Sequence, residues 1–401
     1  MTLRLLLDLD DTLLNSNIEA LIPVYFQKLT GHLAGQLPPE QLLTELVRGT
    51  RLMYVSTNPL KTLEQVFSEA FYPPLGTTRE ALAASIEDFY DNVFPALQPL
   101  TSPRPEALAF LEWAFPKFDV SVATDPLFPR KAILHRLRWA DLDPEHTPFS
   151  LISDFETFHF AKISASYYPE FLLRLGWDSE PVLMVGDSLE RDIFPAQRAG
   201  LPVFWLRPAG EAGTSETESI PQGSYADLRA FLESVDHASL VPNFSSPQAL
   251  LIALPASLSA LHTLTLQAPA PAWTQRPQSG EWALTEILCH LRDVEREVNL
   301  PRFQAALKDV NAFIVGQETD SWAEQRAYIE QDGAQAFNDY ASARFELLAL
   351  LKTFTPEQWE RKVRHTIFGP TGLRELAGFM LEHDQSHVRQ AWSSVPPPLG
   401  G

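Results

Sequence analysis

The chain has 401 residues, of which 45% are hydrophobic and 20% are charged, and its formal net charge is −20. Its length exceeds the size at which a single hydrophobic core stops growing, so we expect two or more domains. Both halves of the chain carry more acidic than basic residues, which argues against a nucleic-acid partner because a phosphate backbone requires a basic surface.

Several features predict a soluble, cytoplasmic protein. No stretch approaches the roughly 20 unbroken apolar residues of a membrane helix, so no membrane partner is expected. The N-terminus lacks the basic and apolar regions of a signal peptide. The single cysteine, Cys289, cannot form an internal disulfide, which fits a reducing compartment. Cys289 lies in a helical pattern and is predicted to be a buried, unreactive packing residue.

The first 235 residues follow the pattern of an α/β domain. Residues 3–9 have the composition of a buried strand, whereas the amphipathic segments between about 15 and 95 predict a helical insertion. Strands and helices then alternate, with strands predicted at 118–124, 181–185 and 203–206, and helices at 105–114, from 129, and at 168–175, 192–199 and 225–233. Alternation of this kind favours a doubly wound, Rossmann-like parallel sheet.

The composition changes after residue 235. An exposed loop is predicted at 208–222 and a linker near 234–246. Beyond the linker, strand signals disappear and four long helical patterns remain, at about 247–266, 281–307, 332–354 and 371–393. These patterns predict a four-helix bundle over residues 246–395.

Polar residues stand where the predicted strands end. Three carboxylates follow the first strand, and like charges this close raise each other's proton affinity unless a cation or a reaction uses them. The carboxyl ends of parallel strands form the usual site of an open sheet. The residues in question are Asp8, Asp10 and Asp11, then Thr124, Lys162, and Asp187 and Asp192 within the run Gly186-Asp187-Ser188-Leu189-Glu190-Arg191-Asp192.

This ordered set resembles the haloacid dehalogenase (HAD) superfamily, over about residues 1–235, with the helical insertion where that family carries a cap. The resemblance implies that Asp8 is the nucleophile, that Asp10 is the general acid and base, and that Thr124 and Lys162 bind the transferring phosphoryl group. It also implies a Mg²⁺ ion held by Asp8, the Asp10 carbonyl and Asp187, with Asp192 beside it.

An acid at Asp10 is typical of the phosphatase branch and not of the dehalogenases, so a phosphatase of a small phosphorylated metabolite is expected. Asp11 is predicted to be a turn or capping residue. Lys162 is followed by Ile163-Ser164 where many relatives have proline, and a degenerate domain that binds without turnover stays an alternative. The candidates for substrate contact in the cap are Tyr25, Arg48, Arg51 and Tyr54, with surface salt bridging favoured for the two arginines.

Three histidines form a second constellation. His383 and His387 are four residues apart and therefore share one helix face, and His290 lies in another helix. The sequence segments around them, Trp282 to Asp293 and Leu381 to Gln390, resemble the DinB-like family of four-helix bundles. The resemblance covers about residues 246–395. The resemblance implies that the three histidines bind a divalent metal, Zn²⁺ or Ni²⁺, with a position open for water or a thiolate.

Other residues near these histidines have secondary roles in the prediction. Asp384 and Gln390 either hydrogen-bond to the metal-binding histidines or lie on the helix surface. His365 is predicted to be a loop histidine and not a fourth ligand.

The sequence therefore supports two hypotheses. In the first, a Mg²⁺-dependent phosphatase is fused to a metal-binding bundle. In the second, the bundle is the active part, as a transferase that uses a low-molecular-weight thiol or as a metal- or ligand-binding protein, and the HAD-like half is regulatory or inert. A homodimer formed through the bundle is compatible with both, and absence of metal from the bundle stays an alternative.

Overall fold

The structure is a computed structural model, and it describes residues 2–208, 210, 213–278, 280–309 and 311–395. The chain divides into two compact units. The first unit contains the residues up to Phe171 together with Ser179–Pro242, and the second contains Leu172–Asp178 together with the residues from Asn243 onward.

A five-stranded parallel sheet lies at the centre of the first unit. Its strands are β1 (Arg4–Leu7), β4 (Asp119–Val122), β5 (Val182–Gly186), β6 (Val203–Leu206) and β7 (Gln222–Gly223), and their spatial order is β4-β1-β5-β6-β7. Strand β1 lies between β4 and β5, and its residues Leu5, Leu6 and Leu7 are fully buried, as expected for an interior parallel strand covered on both faces. Leu7 pairs with Val122 on one side and with Val185 on the other, so these three strands end at the same level. The α/β fold expected for this half of the chain is confirmed.

A helical insertion follows β1. It begins and ends at a two-stranded antiparallel pair, β2 (Leu14–Asn15) and β3 (Ser102–Pro103). Its helices are α1 (Ile18–Leu33), α2 (Pro39–Tyr54), α3 (Leu63–Phe71) and α4 (Arg79–Asp88), followed by a π-helical turn at Phe89–Val93 and a 3₁₀ segment at Phe94–Leu100. Helix α3 begins at a capping box, in which the Thr62 side chain accepts from the Gln65 amide.

The remaining helices of this half cover the sheet. They are α5 (Pro105–Ala114), α6 (Arg130–Trp139), α7 (Tyr167–Arg174), α8 (Phe194–Ala199) and α9 (Tyr225–Ser234), with a π-helical turn at Leu189–Ile193 and 3₁₀ turns at Pro73–Leu75 and His237–Leu240. The helix predicted to begin at Asp192 begins instead at Phe194, because the π turn occupies the preceding residues.

The second unit is mainly helical. Its elements are α10 (Pro247–Gln267), α11 (Ala270–Thr274), α12 (Leu284–Val294), α13 (Leu300–Lys308), α14 (Trp322–Gln325), α15 (Gly333–Leu351), α16 (Pro356–Trp359) and α17 (Leu373–Ser394), with a 3₁₀ turn at Tyr328–Glu330. The single helix predicted at 281–307 is wrong in detail, since a π-helical turn at Glu295–Asn299 separates α12 from α13. The first prolyl residue after that turn, Pro301, has no N–H to continue the ladder.

Short strands also occur after the linker, where the sequence shows no strand pattern. A three-stranded sheet contains β8 (Phe313–Ile314), β9 (Lys362–His365) and β10 (Gly369–Gly372), in the order β10-β9-β8. These strands are only two to four residues long, and two of the four residues of β10 are glycine. Such short segments have no detectable period in the sequence.

Helix α10 corrects the expectation that no segment has the length and hydropathy of a membrane helix. By length and composition alone it could cross a membrane, but 67% of its most apolar window is buried inside the protein. That pattern is typical of the core helix of a soluble protein.

Candidate active site and metal centre

The aligned ends of the parallel strands bring the predicted acidic residues together. Asp8 follows β1 and its amide donates to the Val185 carbonyl, while Asp187 follows β5. An oxygen of Asp8, one of Asp187 and one of Asp192 lie within 4.8 Å of one another. Opposite oxygens of a Mg²⁺ ion with octahedral coordination are about 4.2 Å apart, so these carboxylates fit such an ion.

Lys162 is the cation of this cluster. It lies in the loop before α7, and its Nζ atom is 2.6 Å from Asp8 Oδ1 and also contacts the Asp192 carboxylate. Burial alone would lower the pKa of Lys162, but the Asp192 and Asp8 carboxylates outweigh burial and raise it. The ammonium group is therefore charged at any physiological pH.

The clustered carboxylates favour the charged form of Lys162, whereas burial and mutual repulsion disfavour the charged forms of the carboxylates themselves. Burial, followed by the charges of Asp192, Asp187 and Asp10, raises the pKa of Asp8, although Lys162 opposes the rise. Burial and the charge of Asp192 raise the pKa of Asp187 to about 7. These carboxylates thus retain protons readily, and a divalent cation would displace those protons.

Asp192 sits against the backbone of β5. Its Oδ2 atom accepts from the Ser188 amide at 2.9 Å, and the side chain lies directly over Gly186. A Cβ atom on Gly186 would lie 2.6 Å from the Asp192 Cβ atom, which is too close for any real contact. Glycine at this position is thus required for the carboxylate to reach the cluster.

Replacement of Gly186 by alanine is therefore expected to displace Asp192 and to weaken Mg²⁺ binding by about 10–100-fold. The matched control is Gly35→Ala, because a Cβ atom there meets nothing within 4 Å. Titration calorimetry with Mg²⁺ measures both variants. Equal affinities in Gly186→Ala and Gly35→Ala would show that Asp192 does not contribute to the cation site.

Asp10 lines the same cleft but is not one of the three clustered carboxylates. Its Oδ1 atom accepts from Ser16 Oγ at 2.6 Å, and its Oδ2 atom accepts from Arg136 Nη1 at 2.5 Å. The Arg136 side chain is fully buried, so the Asp10 carboxylate is held in one orientation by a charged partner. Asp11 adopts a left-handed turn with φ of 57° and accepts from the Ser16 amide, which confirms its predicted role as a turn residue.

Thr124 lies just beyond β4 and is fully buried. Its carbonyl accepts from Ser153 Oγ and from the Tyr167 hydroxyl, whereas its own Oγ1 atom has no hydrogen-bond partner among the described residues. A buried hydroxyl without a partner costs free energy, so a bound oxyanion that accepted from it would be stabilised.

Three charged residues in or next to this cleft were not among the predicted site residues. Asp125 and Arg191 line the cleft together with Asp8, Asp10, Lys162 and Asp192. The rule that sites follow strand ends could have found Asp125, and Arg191 lies inside a motif already noted. No sequence signal marks Arg136, which reaches Asp10 from the middle of α6, 126 residues away.

The cap candidates differ in their surroundings. Tyr25, Arg51 and Tyr54 line one cavity within the first unit. Arg48 instead forms a salt bridge of 2.6 Å with Glu45 on the same helix, as expected from the sequence.

The second unit brings the three predicted histidines together. One ring nitrogen from each of His290, His383 and His387 lies within 4.8 Å of the others. The His290 and His383 Nε2 atoms are 3.1 Å apart, and the Nδ1 atoms of both rings have no partner in the described part of the chain. His383 and His387 both lie on α17 and are one helical turn apart, as their spacing of four residues requires.

The environment keeps these imidazoles neutral. Burial and the neighbouring histidines lower the pKa of His290 to about 2, and burial lowers those of His383 and His387 to about 4. Gln390 Oε1 lies 2.9 Å from His387 Nδ1, so that nitrogen carries the proton and donates, which leaves Nε2 free to bind an ion. The Trp282 ring stacks on His387 with an interplanar angle of 2°.

Acidification is expected to destabilise the metal-free second unit. In the unfolded chain these histidines have the ordinary pKa near 6.5, so as the pH falls the unfolded state binds protons first, and stability is lost between about pH 6.5 and pH 4. The loss is about 1–2 kcal/mol per histidine at pH 5. Urea unfolding at pH 7 and pH 5 measures this fall in the free energy of unfolding. The fall should be smaller in the double variant His383→Gln, His387→Gln than in the parent protein. The control is His146→Gln, because the His146 side chain is 81% exposed, and its free energy of unfolding should fall as much as that of the parent protein. Equal falls in all three proteins would contradict the lowered pKa values of His383 and His387.

Other residues near the histidines have structural roles. Asp384 is buried in an ion pair with Arg344. The Cys289 thiol is buried and burial raises its pKa to about 11, so it is unreactive, as predicted. The prediction that His365 lies in a loop is wrong: it ends β9, it is buried, and its Nδ1 atom accepts from the Ile367 and Phe368 amides.

Two segments of the chain, one in each unit, match models of known protein families. Residues 253–391, which contain all three histidines, match the model of the DinB superfamily. Residues 159–227, which contain Lys162, Asp187 and Asp192, match the HAD-hydrolase-like model. The chain joins a HAD-like segment to a DinB-superfamily segment. The first unit is called the HAD-like unit below, and the second is called the DinB-like unit.

Individual relatives are distant. The uncharacterized protein YuaE from Bacillus subtilis (strain 168) is 23% identical over 127 residues, which cover 29% of this chain and 78% of YuaE. Among solved structures, the 2-haloacid dehalogenase from Pseudomonas syringae pv. tomato DC3000 is 23% identical over 58% of this chain and 99% of its own, with a TM-score of 0.41.

Two further structures resemble the chain at a similar level. The HAD phosphatase from Thermococcus onnurineus is 19% identical, covers 58% of this chain and 98% of its own, and has a TM-score of 0.37. YfiT from Bacillus subtilis, described as a probable metal-dependent hydrolase with an unusual four-helix bundle topology, is 15% identical, covers 49% of this chain and 95% of its own, and has a TM-score of 0.35. At these scores the likenesses carry no conclusion about activity.

Proposed function

We propose that the HAD-like unit is a Mg²⁺-dependent phosphatase that acts on a phosphomonoester through an aspartyl-phosphate on Asp8. The single observation that carries the proposal is the convergence of Asp8, Lys162, Asp187 and Asp192, with the unpartnered hydroxyl of Thr124 just beyond the end of the adjacent strand β4. A nucleophilic carboxylate, a fixed cation and a free donor are the groups that a phosphoryl transfer requires.

The residues divide the reaction between them. Asp8 attacks phosphorus and the ester oxygen leaves, which gives the aspartyl-phosphate and the free alcohol. Lys162 Nζ and Thr124 Oγ1 stabilise the negative charge on the phosphoryl oxygens. Asp8, Asp187 and Asp192 fit a Mg²⁺ ion, which when bound would neutralise charge on the phosphoryl group and allow a carboxylate to approach it.

Asp10 is the candidate for proton transfer. It is two residues from Asp8, and Ser16 and Arg136 fix the orientation of its carboxyl group. In the first step Asp10 delivers a proton to the leaving oxygen, and in the second it removes a proton from the water that hydrolyses the aspartyl-phosphate.

The experiment is a screen for inorganic phosphate release, with chloride release from 2-chloropropionate measured in parallel. A phosphatase requires Mg²⁺, loses activity in EDTA and recovers it when Mg²⁺ is restored. Release of chloride without release of phosphate from any ester would assign the unit to the dehalogenases instead.

For the DinB-like unit we propose a divalent metal centre with His290, His383 and His387 as ligands. The pairing of His387 with Gln390 and the unpartnered Nδ1 atoms support it, because the rings are neutral and can coordinate. Zn²⁺ and Ni²⁺ both suit imidazole ligands, and three ligands leave a position open for water or for a low-molecular-weight thiol. Elemental analysis of the purified protein tests the centre. Metal retained in full by the His383→Ala, His387→Ala double variant would exclude this ligand set.

A further inference from the structure

A large cavity lies within the HAD-like unit beside the acidic cleft. Its volume is about 480 Å³, within the range of about 300–1,000 Å³ that is usual for small-molecule sites. Helices α1, α2 and α3 form most of its wall, and the segment Leu127 to Pro129 closes it on the side of the sheet. The cap therefore encloses a space that could hold a ligand.

The wall of this cavity is apolar. Leucine, isoleucine, valine, methionine and phenylalanine side chains supply most of it. Two of its tyrosines, Tyr25 and Tyr90, are hydrogen-bonded to each other at 2.9 Å, and the Glu64 carboxylate is paired with Arg79. The other polar side chains of the wall are outnumbered by apolar ones, so most of the wall offers no partner to the hydroxyls of a sugar or the charges of an amino acid; these polar residues are Thr50, Arg51, Tyr54, Ser68 and Tyr72.

The cavity and the acidic cleft share a boundary. Asp125 lines the cleft, and Leu127 and Phe128, which follow it along the chain, line the cavity. The Arg136 guanidinium, which holds Asp10, lies 4.6 Å from the centroid of the Phe128 ring. The side chains of Arg136 and Phe128 thus connect Asp10, the residue placed to protonate the leaving oxygen, to the wall of the apolar space.

The cavity reaches the surface at α2. Val47 lines it and is 50% exposed, and the exposed Arg51 lies one helical turn further along. Leu43, one turn before Val47, is 42% exposed but does not line the cavity. These two positions provide a matched pair of variants.

Building on the proposed phosphatase function, we infer that the substrate is the phosphomonoester of an apolar alcohol, whose hydrocarbon body occupies this cavity while its phosphate lies at Asp8. Water leaves both the alcohol and the cavity wall when the ester binds, which favours binding in proportion to the apolar area removed from water. A hydroxyl on the same body would lose its partners in water, and each unpaired hydroxyl would weaken binding by about tenfold.

The test is the dependence of kcat/KM on chain length for methyl, propyl, butyl, hexyl and octyl phosphate, all below their micelle concentrations and with Mg²⁺ present. We expect kcat/KM to rise about fourfold per methylene until the cavity is full, mainly through KM. Glycerol phosphate has two hydroxyls that propyl phosphate lacks, so its kcat/KM should be lower than that of propyl phosphate by about 100-fold.

Two variants test whether the preference for long-chain esters arises in this cavity. Val47→Trp places a large ring at the mouth of the cavity and should lower the ratio of kcat/KM for octyl over methyl phosphate by at least about tenfold, whereas Leu43→Trp should leave that ratio unchanged. A flat series, or a preference for glycerol phosphate, with hydrolysis still abolished by Asp8→Asn, would overturn the apolar substrate and leave the phosphatase in place. Absence of hydrolysis that depends on Asp8 for every ester would overturn the proposed function and this inference with it.

Discussion

Phosphate release by Asp8→Asn is expected to be lower than that of the parent chain by about 10⁴-fold or more. The amide has nearly the shape of the carboxylate but is not a nucleophile, so the aspartyl-phosphate cannot form. The fold should persist, since burial and the neighbouring carboxylates already raise the pKa of Asp8, and Lys162 keeps Asp192 as a partner. Steady-state kinetics with Mg²⁺ and a thermal unfolding curve measure both properties.

The control is Asp88→Asn, which makes the same change at an exposed carboxylate of the cap. It should retain the kcat and KM of the parent protein. If Asp8→Asn kept more than a tenth of the parental rate while binding Mg²⁺, Asp8 would not be the nucleophile.

Replacement of Arg344 by methionine is expected to have the largest effect on stability, about 3–5 kcal/mol. Arg344 is fully buried in the DinB-like unit and pairs with Glu295, on the π turn, and with Asp384, on α17. Removal of the guanidinium leaves two buried carboxylates without a counter-charge, which costs more than the pair itself contributes. Because Asp384 adjoins His383, the change should also weaken metal binding.

The control is Arg296→Met, which removes an exposed arginine whose pair with Asp339 spans 3.4 Å. Its free energy of unfolding should fall by less than about 1 kcal/mol. Urea denaturation of the metal-free proteins compares the two variants. A loss for Arg344→Met no greater than that for Arg296→Met would show that the buried triad does not hold α17 in place.

Sequence reasoning anticipates proximity where a residue is tied to a strand end. Asp8 and Asp187 were expected to lie together because the ends of parallel strands meet at one edge, and β1, β4 and β5 do end at one level. The histidines of α17 were found because a spacing of four defines a helix face. In both cases the period of the secondary structure translates directly into proximity.

Sequence reasoning did not predict the contacts that depend on tertiary packing. Arg136 is one of several arginines of α6, and only the fold shows that it meets Asp10. The cavity wall is assembled from residues between Ile22 and Phe155 that share no local pattern. The short strands β8–β10, and with them the burial of His365, were missed because two to four residues carry no period.

The central claim is that a phosphoryl group is transferred to Asp8. The most direct measurement is rapid chemical quench of the enzyme with a radiolabelled phosphomonoester and Mg²⁺, followed by peptide mapping of the labelled protein. We expect base-labile label on the peptide that contains Asp8, formed at least as fast as turnover and absent from Asp8→Asn. Phosphate release that proceeds with no label on that peptide, or with label on another residue, would contradict the account.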